Sequence, residues 1–142
     1  SVLYQNQENY IGGAAIVAQH LKAAGAKVIF STVLGDDDLK NLVSEKLKDV
    51  GIEINAIIDP TRPTINKNVI IAAGYRLLKV DKLDNRPISE EILDRLKLLI
   101  QKSKVDAHVF SDFRHGIFNA MSISSLTEAI PSSNFNKLFI AE

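Results

Sequence analysis

What the sequence lacks sets the first limits on its chemistry. The 142 residues include no cysteine and no tryptophan. Without cysteine the chain can form no disulfide, no thiolate nucleophile and no thiolate zinc site. The three histidines, His20, His108 and His115, lie too far apart along the chain for the short ligand spacings of common metal motifs. We therefore expect no metal site among these residues.

Long apolar runs and an excess of one charge are also missing. Lys and Arg number 17, as do Asp and Glu, so the formal net charge is zero, unlike that of a typical nucleic-acid-binding domain. No apolar stretch approaches the roughly 20 residues of a membrane span, and no signal-peptide pattern opens the chain. These features predict a cytoplasmic protein with no nucleic-acid partner and no membrane association.

Apolar periodicity predicts alternating helices and strands. Stripes at helical spacing indicate four helices, at residues 14–24, 37–50, 89–103 and 118–130. Runs rich in β-branched residues indicate strands at 27–35, 52–58, 106–112 and 136–142, and a hairpin at 65–81 with Ala73-Gly74 near its turn. Strands that alternate with helices are typical of a parallel α/β sheet.

One segment breaks this alternation. Residues 52–82 contain several β runs and no helix, as a small antiparallel sheet beside the main sheet would. The opening "SVLYQNQENY", residues 1–10, could add a further strand to that side sheet. The side sheet also contains Lys67 and Arg76, which are either solvated strand residues or a clamp for a phosphate group.

Candidate chemistry lies where predicted strands end, because ligands of parallel sheets bind at the carboxyl ends of the strands. Polar residues follow three predicted strands, at Asp36, Asp112 and Glu142. The Asp36 segment leads directly into a helix, so helix capping is its simpler interpretation. "SDFRHG" (111–116) combines Asp112, Arg114 and His115 in one turn, which suits a binding loop as well as an ordinary one.

The pair Gly12-Gly13 directly precedes the first predicted helix. Glycine there allows a tight entry turn with positive φ. It also allows a ligand to approach backbone N–H groups at a helix N-terminus. The spacing matches neither the dinucleotide-binding fingerprint nor the P-loop, and by spacing alone the turn is the simpler interpretation.

Three blocks, taken in order, resemble the PfkB/ribokinase family of sugar kinases. "GGAAIVAQHLKAAGAKVIFSTVLGDDD" (12–38) resembles the first conserved block of the family, and "DPTRPTINKNVIIAAGYRLLKVD" (59–81) resembles its lid region. "VFSDFRHGIF" (109–118) is similar to a Ser-Asp-Tyr-x-Lys-Gly block in the branch that phosphorylates heptose 7-phosphate on the route to ADP-heptose. "TRPTINK" also favours that branch.

The resemblance implies a ribokinase-like three-layer α/β/α sandwich with a small β-sheet lid. It implies ATP-dependent, Mg²⁺-assisted phosphorylation of a sugar hydroxyl, with a sugar phosphate as substrate and a homodimer formed through the lid. We expect residues 1–142 to be part of one such domain. Residues 1–10 and 52–82 would then supply lid strands, and 11–51 and 83–142 the α/β core.

The same resemblance suggests which residues contact the substrate. It makes Gly12-Gly13 the floor of a sugar site, and it places Lys67 and Asp112 on the substrate side. Arg76 is a weaker match. His115 stands where the family has Lys, and a neighbouring arginine could supply the missing charge. The predicted substrate-binding residues are therefore Gly12, Gly13, Lys67, Arg76, Asp112, Arg114 and His115.

The catalytic motif of the family is not among these residues. No Gly-Ala-Gly-Asp occurs in the chain, so the catalytic Asp and most of the ATP site are expected beyond Glu142, and the first core strand before Ser1. We expect no tightly bound cofactor and no kinase activity from this chain alone.

Ile16 stands where the family has a substrate-contacting Asn. Together with His115 it favours an alternative, an inactive kinase-like sugar-sensing or scaffolding module fused to another domain such as a nucleotidyltransferase.

Overall fold

The computed structural model describes residues 1–132 and the backbone of residues 138–141. Its helices are α1 (Ala14–Ala23), α2 (Asp38–Asp49), α3 (Glu90–Lys102) and α4 (Ala120–Glu128). Its strands are β1 (Ile29–Gly35), β2 (Glu53–Asp59), β3 (Asn66–Ala72), β4 (Tyr75–Lys82), β5 (His108–Ser111) and β6 (Leu138–Ala141). All four predicted helices and the predicted strands between residues 27 and 112 are confirmed with small shifts at their ends, and the last predicted strand is confirmed over the described residues 138–141.

Side-chain caps explain where two of the helices begin. The hydroxyl of Ser89 accepts a hydrogen bond from the amide of Ile92, as expected for the N-cap of α3. Asn119 and Ser122 form a capping box at α4, in which each side chain bonds the backbone amide of the other residue. Both caps satisfy amides that have no partner within the helix.

Strands β1 and β2 pair in parallel and have helices on both faces. Because side chains alternate along a strand, Phe30 and Ile54 face the cluster around α1 and α2, whereas Val33 and Ile57 face the cluster around α3 and α4. The first cluster has a core of Ala15, Ala18, Leu47 and Ile52. The second has a core of Ile57, Ile92, Leu96, Phe110, Leu126 and Ile130. The α/β class is therefore confirmed.

The described strands form three separate two-stranded sheets, β1–β2, β3–β4 and β5–β6. This corrects two sequence-based predictions. Residues 52–58 were expected in the lid, but β2 pairs with β1 in the core because Ile57 is buried there. Residues 1–10 were expected to add a strand, but the structure places no strand there, and Val2, Leu3 and Tyr4 are exposed.

Of the segment expected to form the lid, β3 and β4 pair as an antiparallel hairpin, which we call the lid. Its two-residue turn has positive φ at both Ala73 (49°) and Gly74 (79°), as a type I′ turn requires. A register shift between Ile70 and Ile71 interrupts the ladder. Without that shift, the turn would place Lys67 opposite Val80. With it, Lys67 lies opposite Asp81.

Strand β5 ends directly before the loop that contains Asp112 and His115. It pairs in parallel with β6, and the ring of Phe110 packs edge-on against Phe118 with centroids 5.7 Å apart. Glu142, a predicted strand-end acid, lies outside the described residues. Across those described, no helix has the length and apolarity to span a bilayer.

Candidate functional site

The loop after β5, residues 112–116, has a tightly constrained backbone. A carboxylate oxygen of Asp112 accepts a hydrogen bond of 2.7 Å from the amide of Arg114. Arg114 itself has φ of 59°, a left-handed conformation that is uncommon for a residue with a side chain. Such conformations concentrate at functional sites, where the surrounding structure holds them in place.

This loop lies against the start of α1. Gly13 is the N-cap of α1, with φ of 58°, and a Cβ there would lie 3.8 Å from the ring of Phe113. No side chain caps this helix. At Gly12 a Cβ would meet nothing within 4 Å. The structure thus brings the glycine pair and the loop together and leaves the space beside Gly12 open.

Two charged residues of the lid, Lys67 and Asp81, influence the protonation of His115 in the same loop. Burial lowers the pKa of His115 below its ordinary 6.5, and the positive charge of Lys67 lowers it further. The carboxylates of Asp112 and Asp81 act in the opposite direction but do not outweigh these two causes. The imidazole is therefore mostly uncharged at pH 7, between a lid lysine and two acids.

Asn85 orients this histidine. The Nδ1 atom of His115 lies 2.9 Å from Oδ1 of Asn85. Because an amide oxygen can only accept, the neutral imidazole carries its proton on Nδ1. Its Nε2 then offers a lone pair to a ligand hydroxyl, or becomes a second donor when the ring is protonated.

Arg76, a predicted substrate-binding residue, lies away from Lys67 and His115. It lies opposite Ile71, near the hairpin turn and four residues along β3 from Lys67, a separation of about 13 Å. It lines a shallow cavity with Val69 and Leu77 instead. Arg114 lies within the loop and is exposed.

The base of the lid is held against the end of β1. Thr64 accepts a hydrogen bond of 2.9 Å from the amide of Gly35, and its own amide donates to Asp37 at 2.9 Å. Burial raises the pKa of Asp37, but the hydrogen bonds from Thr64 and the charge of Lys82 outweigh it, so the pKa lies below its ordinary 3.8. Asp37 occupies the N-cap position of α2, yet its side chain binds the lid linker instead of capping the helix.

Several residues of this region escaped the sequence-based prediction. Asp81 was missed because the bulge that pairs it with Lys67 has no clear sequence signal, and Asn85 because its contact with His115 spans 30 residues. Arg62 and Arg86, on either side of the hairpin, were missed too, although Arg62 lies within the "TRPTINK" block. In each case the partner is distant in sequence, and only the fold brings the two together.

Ile16 lies in a different environment from the loop. It is 40% exposed and lines a shallow cavity of about 420 Å³ between α1 and α2. The other lining residues are Tyr10, Ile11, Gln19, Lys46, Asp49 and Val50.

The described side chains do not provide a metal centre. Among residues 1–132, no three His, Asp or Glu side chains form a group that could hold a metal ion. The cations and hydrogen-bonding groups near the 112–116 loop can bind hydroxyl and phosphate groups of a ligand.

A parallel pair of strands with helices on both faces, and a β-hairpin whose base is bound to the end of β1, place the chain in the α/β class. The family model described as "pfkB family carbohydrate kinase" matches residues 1–111, and the chain belongs to this family. The family as a whole uses ATP and Mg²⁺ to phosphorylate carbohydrates.

Three of the curated relatives share one name. The chain is 31% identical over 118 residues to "Bifunctional protein HldE" of Helicobacter hepaticus, covering 81% of this chain and 24% of that protein. The protein of the same name from Bradyrhizobium diazoefficiens is 30% identical over 133 residues, covering 90% and 27%. That of Helicobacter pylori is 33% identical over 119 residues, covering 81% and 26%. The chain thus spans about a quarter of the length of these relatives.

Proposed function

We propose that this chain is the sugar-binding portion of an ATP-dependent kinase that phosphorylates a sugar phosphate such as a heptose 7-phosphate. Membership of the carbohydrate kinase family and the likeness to proteins named HldE support the sugar kinase role. The observation that carries the proposal is that Lys67 and Asp112 both act on the charge of His115, in a loop that packs against Gly13. Within this proposal the whole domain is a three-layer sandwich, and this chain contributes part of it.

Each residue of this group has a role that its chemistry permits. Lys67 supplies a positive charge for the substrate phosphate from the lid side. The second oxygen of Asp112, which does not bind the Arg114 amide, accepts hydrogen bonds from sugar hydroxyls. His115 accepts a hydrogen bond from a ligand hydroxyl through Nε2 when neutral and donates to the substrate phosphate when protonated, and Arg114 adds charge at the rim. Gly12 leaves room for the sugar because any side chain there would fill the open space beside α1.

Binding to the full-length protein tests this assignment. In calorimetric titrations with a panel of sugar phosphates, Lys67→Met should weaken binding of the preferred sugar phosphate roughly tenfold, since it removes a charge-assisted contact. Lys104→Met, which alters an exposed lysine outside this group, should leave the affinity unchanged. Equal affinities in both variants would refute the role of Lys67. ATP turnover by the 142-residue chain alone would refute its assignment as the sugar side only.

The second candidate is an inactive kinase-like module that senses a sugar or serves as a scaffold. Ile16 favours it, because an isoleucine can neither donate nor accept the hydrogen bonds that the family's Asn makes at that position. The relatives are named bifunctional and are about four times as long as the matched region, which supports a fused second domain such as a nucleotidyltransferase. The sequence of the parent gene decides between the two: an intact Gly-Ala-Gly-Asp supports the kinase, and its loss supports the module.

A further inference from the structure

Two arginines connect the segments that enter and leave the lid. We call residues 60–65 the entry stem and residues 83–88 the exit stem. The Nη2 atom of Arg62, in the entry stem, donates to the carbonyl oxygen of Pro87 in the exit stem at 3.1 Å. The Nη2 atom of Arg86, in the exit stem, donates to the carbonyl oxygen of Thr61 in the entry stem at 3.1 Å. Each stem therefore binds the backbone of the other through its own arginine.

A carboxylate fixes the orientation of each arginine. Nε of Arg62 lies 2.8 Å from Asp59, at the end of β2. Nε of Arg86 lies 2.8 Å from Asp84. A guanidinium is planar, so an acid bound at Nε determines where Nη2 points. In both stems that direction is toward the opposite backbone.

One half of this arrangement is buried and the other is exposed. Arg62 and Asp59 have side chains only 8% and 6% exposed. The Asp59 carboxylate also accepts hydrogen bonds from the amide and hydroxyl of Thr61, so its charge is well compensated. The side chain of Arg86 is 67% exposed. The buried half couples the lid to the core sheet through β2, and the exposed half tightens the stem pair.

Both stems are also seated closely on the core. A Cβ at Gly35 would lie 2.4 Å from the amide nitrogen of Thr64, and one at Gly116 would lie 2.1 Å from the carbonyl oxygen of Arg86. The amide of Ile88 donates to the carbonyl of Gly116 at 3.0 Å. The entry stem thus rests on the end of β1, and the exit stem rests on the loop that carries His115.

We propose that Arg62 and Arg86 form a reciprocal clasp that fixes the angle of the β3–β4 hairpin over the core, and that they are thereby positioning residues for Lys67. Lys67 is the second residue of β3, directly after the entry stem, so rotation of the stems would move it away from His115. The fixed angle follows from the stem contacts alone, whereas the consequence for substrate rests on the proposed function.

Distances between spin labels measure the lid angle directly. The chain has no native cysteine, so Tyr75→Cys at the hairpin turn and Leu98→Cys on α3, both exposed, give two unique labels. With the clasp intact we expect one narrow distance distribution. Arg86→Met should at least double its width. Arg86→Lys should do the same, because one ammonium cannot reach Asp84 and the Thr61 carbonyl in the arginine geometry.

Arg95→Met is the matched control, since Arg95 is exposed on α3 and lies outside the clasp. It should leave the distribution unchanged. Arg62→Met leaves the buried Asp59 uncompensated and can unfold the chain, so Asp59→Asn/Arg62→Met is tested beside it, with circular dichroism to confirm folding. Unchanged widths in Arg86→Met and in the folded double variant would overturn the clasp, as would equal broadening by Arg95→Met.

A kinetic measurement separates the clasp from its proposed role in binding. In the full-length protein, Arg86→Met should raise KM for the sugar phosphate at least threefold and leave KM for ATP unchanged, because only the lid side of the site loses its geometry. A broadened distance distribution with an unchanged KM would keep the clasp and overturn the positioning of Lys67. Absence of sugar kinase activity in the parent protein would instead refute the proposed function and leave the distance result intact.

Discussion

At the scale of single residues, the charge of His115 is the most consequential property of the candidate site. Burial and Lys67 hold its pKa below 6.5, so the folded protein binds a proton there less readily than the unfolded chain does. This part of the folding stability is present above pH 6.5 and is lost as the pH falls through the lowered pKa.

Acidification should therefore strengthen phosphate binding while the fold persists. Protonation turns Nε2 of His115 into a charged donor, and we expect roughly a fivefold gain in affinity for the sugar phosphate between pH 7 and pH 5.5, relative to His115→Gln. His115→Lys should show a similar gain already at pH 7. Calorimetric titrations of the full-length protein at both pH values measure these ratios.

Comparison with His115→Gln is needed because the phosphate monoester itself takes up a proton near pH 6 and loses affinity in every variant. An unchanged ratio between wild type and His115→Gln across this range would show that the ring makes no contact with the phosphate.

Gly35 is a second residue whose role can be tested alone. A Cβ there would lie 2.4–2.7 Å from backbone atoms of Arg62, Pro63 and Thr64, and backbone cannot move aside as a flexible side chain can. We expect Gly35→Ala to lower the free energy of unfolding by about 2–3 kcal/mol, measured by urea denaturation. Gly12→Ala, where a Cβ meets nothing within 4 Å, should change it by no more than about 0.5 kcal/mol. Similar stabilities of the two variants would contradict the close contact.

At the scale of secondary-structure elements, the lid hairpin combines a favourable topology with an unfavourable turn residue. Ala73 occupies a left-handed position of the type I′ turn, which costs a residue with a Cβ about 1–2 kcal/mol. Asn-Gly is the preferred sequence for this turn because asparagine tolerates that conformation. The hairpin is therefore less stable than its strands would allow.

Ala73→Asn should stabilise the hairpin by about 0.5–1 kcal/mol. Because the gain in stability is local, it is measured by amide hydrogen exchange, which should become slower in β3 and β4. Ala26→Asn is the control, since Ala26 is an exposed loop residue without positive φ. If Ala73→Asn left the exchange rates of β3 and β4 unchanged, the turn would not limit hairpin stability.

At the scale of the whole molecule, the lid hairpin has an exposed apolar face that a second surface could cover. Two-stranded sheets are marginally stable in water, and all eight residues of β4 are exposed. Strand alternation places Lys67 and Asp81 on one face and Ile70, Leu78 and Val80 on the other. The first face is directed to the His115 loop, so the apolar face is the surface available to a second copy of the chain.

We therefore expect the chain to self-associate through this apolar face. Analytical ultracentrifugation at micromolar concentration should show a dimer that Leu78→Lys converts to a monomer, because lysine would be buried without a partner. Leu98→Lys changes a leucine of similar exposure on α3, 49% against 53%, and should leave the dimer intact. A monomeric parent chain, or equal dissociation by both variants, would refute dimerisation through the lid.

The sequence by itself determined the local structure. Apolar stripes, the Ser89 cap and the Ala73-Gly74 turn act over a few residues, so the helices and the hairpin could be predicted at nearly their observed positions. The family blocks identified the carbohydrate kinase relationship, and the loop at Asp112 and His115 was recognised as a candidate site.

Only the tertiary structure decided how these pieces combine. Strand β2 belongs to the core sheet because Ile57 is buried there. The bulge in the hairpin changes the cross-strand partner of Lys67 from Val80 to Asp81. The contacts Arg62–Pro87, Arg86–Thr61 and Asn85–His115 join residues 25 to 30 positions apart. Such contacts depend on hydrogen-bond geometry between distant backbone segments, and no local propensity or periodicity encodes that geometry.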